Sequence, residues 1–430
     1  MQFRKVMATA MVVALATSSL VACGNVTVTT DVSVESGTAT ETQEEITDYG
    51  SGDIVIWVAD AVVDFTKEKA EAFIAENEAY SGYTITVEAV GEGDAATKMT
   101  TDVASGADIY GFPQDQLARL VSAGAIASLS VEDQEWITEQ NDAGAVSAAC
   151  VGDIAYAYPM TSDNGYFLYY DSSVITDAST LEGILEQCEA ADKSFYMNMQ
   201  GGWYQTAFFF GTGCELTYDT DEDGAFTACN INYDSDAGVV ALREIIDTAS
   251  SKAFVDGSSI ADASNVAAIV DGTWDAEGAK AAFGDNYACA KLPTFTGSDG
   301  NTYQMSGFGG FKLLGVKPQT EAGKLAVCNA LAKYLTSEEV QLERYDLVSW
   351  GPSNLNAQAS DAVKSDEALS ALAEQLNFCI PQGQYPDDYW TRAESLVGDI
   401  YTGNLTQDSS DDDIRSALAS FQADCVSYAE

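Results

Sequence analysis

Asp53-Ile-Val-Ile-Trp57, Ile85-Thr-Val-Glu-Ala89 and Asp108-Ile-Tyr110 are three short apolar runs, and the segments between them change period. In the first gap Phe65, Ala72 and Phe73 fall at i, i+7 and i+8, the spacing of one helical face. Ile85, Val87 and Ala89 alternate with Thr86 and Glu88, as in a half-buried strand. Asp94 is placed to cap a second helix with Met99 and Val103 inward and Gly106 as its stop. Pro113 opens a third helix, with Leu117, Leu120 and Val121 inward, closed by Gly124. The order is β-α-β-α-β-α, which predicts an open, wound parallel sheet with Trp57 in its core.

Upstream, Arg4 and Lys5 precede an apolar run from Val6 to Val21 that ends in Leu20-Val-Ala-Cys23. A charged start, a short apolar core and small residues at the exit predict a secretory signal over residues 1–22. The cysteine after a small residue resembles the lipobox of bacterial lipoproteins, which implies lipidation at Cys23. Residues 23–52, rich in Thr, Ser, Val, Glu and Gly, have little to bury and read as a flexible tether. No later stretch is long and apolar enough to span a bilayer.

Downstream, Ile154 to Pro159 and Tyr166 to Tyr170 read as strands around a polar Thr161-Ser-Asp-Asn-Gly165 link. Helical patterns follow at 180–192, 203–213 and 236–252, with strands at Ala267–Val270 and Tyr287–Leu292. From 320 the chain is helical, with breaks near Gly351-Pro352 and Pro381. A chain of this length suits two cores rather than one.

The balance of 67 Asp+Glu against 19 Lys+Arg repels phosphate backbones, so nucleic acid is excluded as a partner. The absence of histidine removes Ser-His-Asp and Cys-His catalysis and the commonest zinc ligand. Beyond Cys23 there are eight cysteines, none in a CxxC pair. An even number outside the cell permits disulfides. Cys214 and Cys229 flank an Asp/Gly turn, and a hairpin there is expected to bridge them. Cys328, within Leu325-Ala-Val-Cys-Asn-Ala-Leu331, reads equally well as a buried thiol. Asp219-Thr-Asp-Glu-Asp-Gly224 copies the opening of a calcium loop, but Asn230 stands where the closing Glu belongs. An acidic hairpin tip is the alternative, and no metal or cofactor is expected.

The order of segments resembles the extracellular solute-binding proteins of carbohydrate ABC transporters, the maltose binders among them. Ile54-Val-Ile-Trp57 with Ile85-Thr-Val-Glu88 looks like the first βαβ unit. Gly106-Ala-Asp-Ile109, Asp115 and Ala123-Gly-Ala-Ile126 are similar to the segment after it. Ala157-Tyr-Pro159 with Leu168-Tyr-Tyr170 looks like lobe-crossing strands. Asp271-Gly-Thr-Trp274, Lys291-Leu-Pro293 and Gly307-Phe-Gly-Gly310 resemble the later core. The resemblance implies a periplasmic-binding-protein-like fold, two wound α/β lobes joined by hinge-crossing strands. Lobe one is expected over 53–162 plus 309–348 and lobe two over 163–305 plus 353–430, with crossings near 162–165, 305–309 and 348–353.

A sugar site needs aromatic rings against C–H faces and short polar groups against hydroxyls. The resemblance puts Trp203, Tyr204, Trp274 and Trp390 at stacking positions, and Phe112 where the maltose binders carry tryptophan. Asp60 and Asp115 follow strands at their carboxyl ends, where open α/β sheets bind ligands; Asp163 or Asn164 lies at the first crossing. The maltose binders also carry a lysine where Ala61 and Val62 stand, an arginine where Gln116 stands, and an acid where Gly201 and Gly202 stand. These departures weaken maltose itself more than sugar. The implied function is capture of an oligosaccharide, most like a maltooligosaccharide, and delivery to the permease subunits of an ABC transporter. The protein would act as a monomer, lipid-anchored on the outer face of the membrane. A polyamine receptor is the alternative within binding proteins, because acids and aromatic walls suit a cation too. A lipid-anchored glycoside hydrolase would need a marked pair of carboxylates, and no pair stands out.

Overall fold

The computed structural model describes residues 27–28, 44–45, 48–257, 259–261 and 263–429. The signal segment 1–22, Cys23 and most of the expected tether lie outside the described residues. Within residues 1–47, Thr27–Val28 pairs antiparallel with Glu44–Glu45. The unit from Asp48 onward carries everything else. Its first residues are not tether-like: Tyr49 is buried, meets Tyr80 edge-on at 5.0 Å, and its carbonyl accepts the Tyr83 hydroxyl.

The first lobe is built as the opening stretch predicts. Strand Gly52–Val58 lies parallel between Tyr83–Ala89 and Ile109–Pro113, with Ile54 facing Ile85 and Ile56 facing both Val87 and Ile109. Ile54, Ile56 and Val58 are buried by strict alternation. Trp57, expected in the core, is only half-buried, and its Nε1–H donates to Glu88 at 2.8 Å. Helix Val63–Glu76 turns Thr66, Ala70 and Ile74 inward. Phe65 and Phe73 form a second stripe: Phe73 stacks on Tyr334 at 5.0 Å and Phe65 lies under Lys69 and Arg344. Ala72 is exposed. The helix expected to start at Asp94 spans Glu92–Thr101, capped by Gly91, so Asp94 sits in its first turn and Gly106 lies beyond its end.

The remaining strands of this sheet arrive from far along the chain. Phe308–Val316 runs antiparallel to Ile109–Pro113 on one side and to Ala157–Asn164 on the other, and Ile380–Pro381 adds to its beginning. A second, five-stranded sheet has the order 254–255, 194–196, 266–271, 167–171 and 287–290, parallel at one end and antiparallel at the other. Its core is Leu168, Phe195, Ala268 and Val270 with Leu242, Ile245 and Phe208 from the covering helices. The molecule is therefore a two-lobed α/β protein.

The chain leaves the first sheet at Asn164 and enters the second at Phe167. It returns after the hairpin Thr294–Thr296/Thr302–Gln304, entering Phe308–Val316. Gly307 makes that return with φ of +137°, and an added Cβ would lie 2.5 Å from the Tyr166 hydroxyl. Residues 352 and 354 still bridge to Thr161 and Asn141 of the first lobe. Only with helix Glu367–Leu376, packed on 287–290 and 167–171, does the chain cover the second sheet again.

The expected Cys214–Cys229 bridge is corrected. The hairpin exists, but its register sets Leu216 against Ile231 and Tyr218 against Cys229, so Cys229 faces Tyr218 and both cysteines are free thiols. The Asp219–Gly224 segment is the tip of that hairpin. Asp221 Oδ1 accepts from the amides of Asp223 and Ala225, and Asp219 Oδ2 from Asn230, which spends these carboxylates on the turn. No group of potential metal ligands gathers among the described residues.

Asp108 joins the ends of this construction. It is buried, accepts from the Val55 amide at 3.0 Å and from Gln319 at 3.0 Å, and pairs with Lys324 at 2.9 Å and Lys317 at 3.8 Å. Removing one member of a buried pair strands the others. Asp108→Ala should cost about 3–5 kcal/mol of stability, read by denaturant unfolding; a loss below about 1 kcal/mol, the range of an exposed pair, would show that the pair is not structural.

Candidate functional site

The carboxyl ends of the three parallel strands open on one cavity of about 710 Å³ between the lobes. Ala59 and Ala61 follow the first strand, Glu92 and Gly93 the second, and Asp115 and Gln116 the third, on a single 3-10 turn. The opposite wall is aromatic. Trp203 and Tyr204 come from the turn before helix Thr206–Gly211, Trp274 from the 3-10 turn after strand Val266–Asp271, and Trp390 from the first turn of helix Asp387–Tyr401. Asn164, Lys312, Trp350 and Gln382 close the floor, where the chain passes between lobes.

The aromatic wall is braced from behind. Trp203 lies 6.0 Å from Trp274, 5.1 Å from Tyr204 and 4.7 Å from Tyr166, ring centre to ring centre. Its Nε1–H donates to Gln382 at 3.2 Å. The Tyr204 hydroxyl donates to Asp271 Oδ1 at 3.0 Å, and the Gly272 amide donates to the same oxygen. Asp271 is fully buried; burial raises its pKa well above the usual carboxylate range, and the neighbouring Asp275 adds to the rise. Trp390 packs on Tyr389 at 4.7 Å and Tyr385 at 5.5 Å. Half-exposed indoles with fixed backs can stack on a flat apolar face without first losing rotamer freedom.

The opposite wall carries unspent polar atoms. Asp115 is 3% exposed and its Oδ1 has no partner. Burial pushes its pKa up to about 7; Arg119 pulls it down and Asp387 raises it. Glu92 Oε1 is likewise buried without a partner. Near neutral pH the Asp115 carboxyl can thus donate as well as accept a hydrogen bond.

The cavity brings together Trp203, Tyr204, Trp274, Trp390 and Asp115 from among the residues singled out in the sequence. Three others stand elsewhere. Phe112 has no exposed surface; it packs on Tyr110 at 5.6 Å inside the first lobe. Strand Ile109–Pro113 is buried on both faces from Ile109 through Phe112 and opens only at Pro113. Asp60 is exposed, and its neighbours rather than its own side chain line the cavity. Asp163 is buried beneath the floor, where its Oδ2 accepts from the Gly351 amide at 2.6 Å and from the Thr273 hydroxyl. Asn164, the alternative to Asp163 at the first crossing, does line the cavity. Glu92, Gln116, Lys312, Trp350 and Gln382 were not foreseen. Glu92 had a signal, because Gly91-Glu92-Gly93 directly follows a strand at its carboxyl end.

A two-lobed α/β protein with an aromatic-walled cavity between its lobes has the architecture of a ligand-binding protein. The chain belongs to the bacterial extracellular solute-binding proteins, whose family pattern matches residues 24–371. This places it outside the cytoplasm and among receptors rather than enzymes. No helix among the described residues is long and apolar enough to cross a membrane. A curated relative, the galactooligosaccharide-binding protein of Bacillus subtilis (strain 168), is 30% identical over 132 residues, and the match spans 30% of each chain. A solved structure with acarbose is similar with a TM-score of 0.76 and 25% identity, covering 89% of this chain and 100% of that one. The maltodextrin binding protein of L. casei BL23, solved without ligand, has a TM-score of 0.71 at 24% identity, covering 87% of this chain and 99% of its own. The maltose-maltodextrin binding protein of Alicyclobacillus acidocaldarius has a TM-score of 0.69 at 18% identity, covering 87% and 100%.

The buried Asp115 gives the fold a pH dependence of known sign. Its folded pKa of about 7 lies above its ordinary 3.8, so the folded state holds the proton more tightly. This contribution disfavours folding increasingly as pH rises from about 4 to 7 and is constant above. Asp115→Asn keeps the neutral shape. It should be more stable than the wild type at about pH 8, by up to about 4 kcal/mol, with no difference below about pH 4. Denaturant melts of both proteins at several pH values check this; a gap that does not vary with pH would contradict it.

Proposed function

We propose that this protein captures an oligosaccharide, a maltooligosaccharide-like α-glucan fragment, outside the cell and delivers it to the permease subunits of an ABC transporter. The observation that carries the reading is the opposition of two walls across one cavity. Trp203, Tyr204, Trp274 and Trp390 offer ring faces from one lobe, and Glu92 and Asp115 offer unpartnered oxygens from the other. Sugars are the solutes with apolar faces and hydroxyl edges in that arrangement. The maltodextrin-binding, acarbose-bound and galactooligosaccharide-binding proteins that the chain is similar to support the same ligand class. Lobes of 53–162 plus 309–348 and 163–305 plus 353–430 would close on the sugar about the crossing strands. The protein would work as a monomer held to the membrane by a lipid on Cys23.

Burial and stacking of one indole contribute about 1.5–3 kcal/mol. Trp274→Ala should therefore weaken maltotriose binding roughly ten- to a hundredfold, with the fold retained. A neutral ligand should bind almost equally at low and moderate salt, whereas a polyamine drawn by the net charge of -48 should weaken as salt rises. Titration calorimetry on wild type and Trp274→Ala at two salt concentrations reads both effects. Salt-sensitive spermidine binding with no response to any oligosaccharide would favour the cationic ligand instead. For the anchor, Cys23→Ala should release the protein from membranes or leave it unprocessed; a variant still processed and membrane-bound in detergent partitioning would rule the lipid out.

A further inference from the structure

Lys312 is the one residue of the cavity floor whose charge the protein leaves unanswered. It sits on strand Phe308–Val316, opposite Pro113 on one side and Thr161 on the other, and is 6% exposed. Its Nζ lies 4.1 Å from the ring centre of Trp350 and 5.0 Å from that of Trp274. Among the described residues it makes no ion pair and no side-chain hydrogen bond, although the first lobe's other buried lysine contacts, Lys317 and Lys324, converge on Asp108. A desolvated ammonium without a carboxylate is costly. Two indole faces offset part of this through their quadrupoles, but they offer none of the lone pairs that three N–H donors require. The side left open is the cavity that Lys312 helps to line.

We infer that Lys312, held between Trp274 and Trp350, is a ligand-contacting and specificity-determining residue that donates hydrogen bonds to the oxygens of a bound neutral sugar unit. The inference rests on the sugar reading above and adds the group that fixes which part of the sugar meets the floor. An uncharged acceptor suits the place better than an anion, because Glu92 and Glu277 line the same cavity and the whole chain is strongly acidic. The fixed direction of the ammonium, set by two rings, makes the position of a hydroxyl or ring oxygen a condition for tight binding. A ligand that presents a methylene there would leave the ammonium buried and unpaired.

Two readouts on Lys312→Met and Lys312→Arg test this. Methionine keeps the length and apolar stem but removes charge and donors. If Lys312 serves the ligand, the ligand-free Met variant should melt at the wild-type temperature or above it, because a group kept for function is released from a costly burial. Calorimetry with maltotriose should then show at least a tenfold loss of affinity in Lys312→Met and a smaller loss in Lys312→Arg. A lowered ligand-free melting temperature in Lys312→Met would mean that the cation glues two indoles together, and would overturn the inference. So would unchanged maltotriose affinity, or tighter binding of trigalacturonate than of maltotriose by the wild type. A wild type that ignores both sugars, with a Met variant that melts higher, would sink the sugar reading while supporting Lys312 as a donor facing the cleft.

Discussion

One buried carboxylate holds the crossing region together. Asp163 is the next-to-last residue of the strand that leaves the first lobe, and its Oδ2 accepts from the Gly351 amide and the Thr273 hydroxyl. The first bond ties the first crossing to the loop that carries Trp350, and the second ties it to the turn that carries Trp274. Both rings that enclose Lys312 are thus placed by the same side chain. Its other oxygen has no partner, but the buried Arg344 lies within electrostatic reach. Burial pushes the Arg344 pKa down to about 10, and Glu92 and Asp163 pull it back up, so one cation serves the floor and the first-lobe wall together. Asp163 was expected to touch ligand; it positions the groups that do the lining.

The lobes also meet around the mouth of the cavity. Arg119 pairs with Asp387, which also accepts from Thr97 at 3.4 Å. Gln384 accepts from the Ala118 amide and donates to the Gln114 carbonyl, at 2.8 Å each. The hairpin tip comes so near that a Cβ on Gly224 would stand 2.2 Å from the Ala118 carbonyl, and Gly224 holds φ of +79°. Local bonds and close packing account for the turn. Its shape is set by Asp221 accepting two amides, and its glycine by the neighbouring lobe. Exposed ion pairs are weak individually, so contacts of this kind can part and re-form as lobes move.

What was legible in the sequence follows from how local each signal is. The three parallel strands were readable because alternation and helical spacing are properties of a few consecutive residues. Asp115 and Glu92 could be found by one rule, that ligands gather at the carboxyl ends of such strands. The same rule named Asp60, where one residue of rotation turned the side chain out to solvent. Family likeness named Trp203, Trp274 and Trp390, which line the cavity, and also Phe112, whose side chain is buried inside the first lobe, because likeness transfers a position but not the direction of a side chain. Lys312 and Trp350 were beyond reach. Their meeting depends on a strand crossing, a sheet register and a hydrogen bond from Asp163, joining residues that no local pattern relates. The Cys214–Cys229 pairing failed for a smaller reason of the same kind, a hairpin register that sets Tyr218 opposite Cys229.

The charge of the cavity differs from that of the chain around it. The protein carries -48 overall, yet the acids of its binding wall are tempered by burial and by neighbouring cations. Asp115 is about half protonated near pH 7, because burial outweighs the pull of Arg119. Asp271, behind the aromatic wall, has its pKa raised by burial and by the neighbouring Asp275. Glu92 lies within electrostatic reach of Arg344, and Lys312 adds a positive charge that two indoles hold in place. A site designed for a cation would expose its carboxylates ionised and keep lysine out. A site designed for an anion would not bury acids in its wall. Burying acids or setting them near a cation, with Glu277 paired to Lys280 at 3.0 Å, produces a wall rich in polar groups but poorer in net charge than the rest of the chain. That combination selects against ions of either sign and favours an uncharged, hydroxyl-bearing solute.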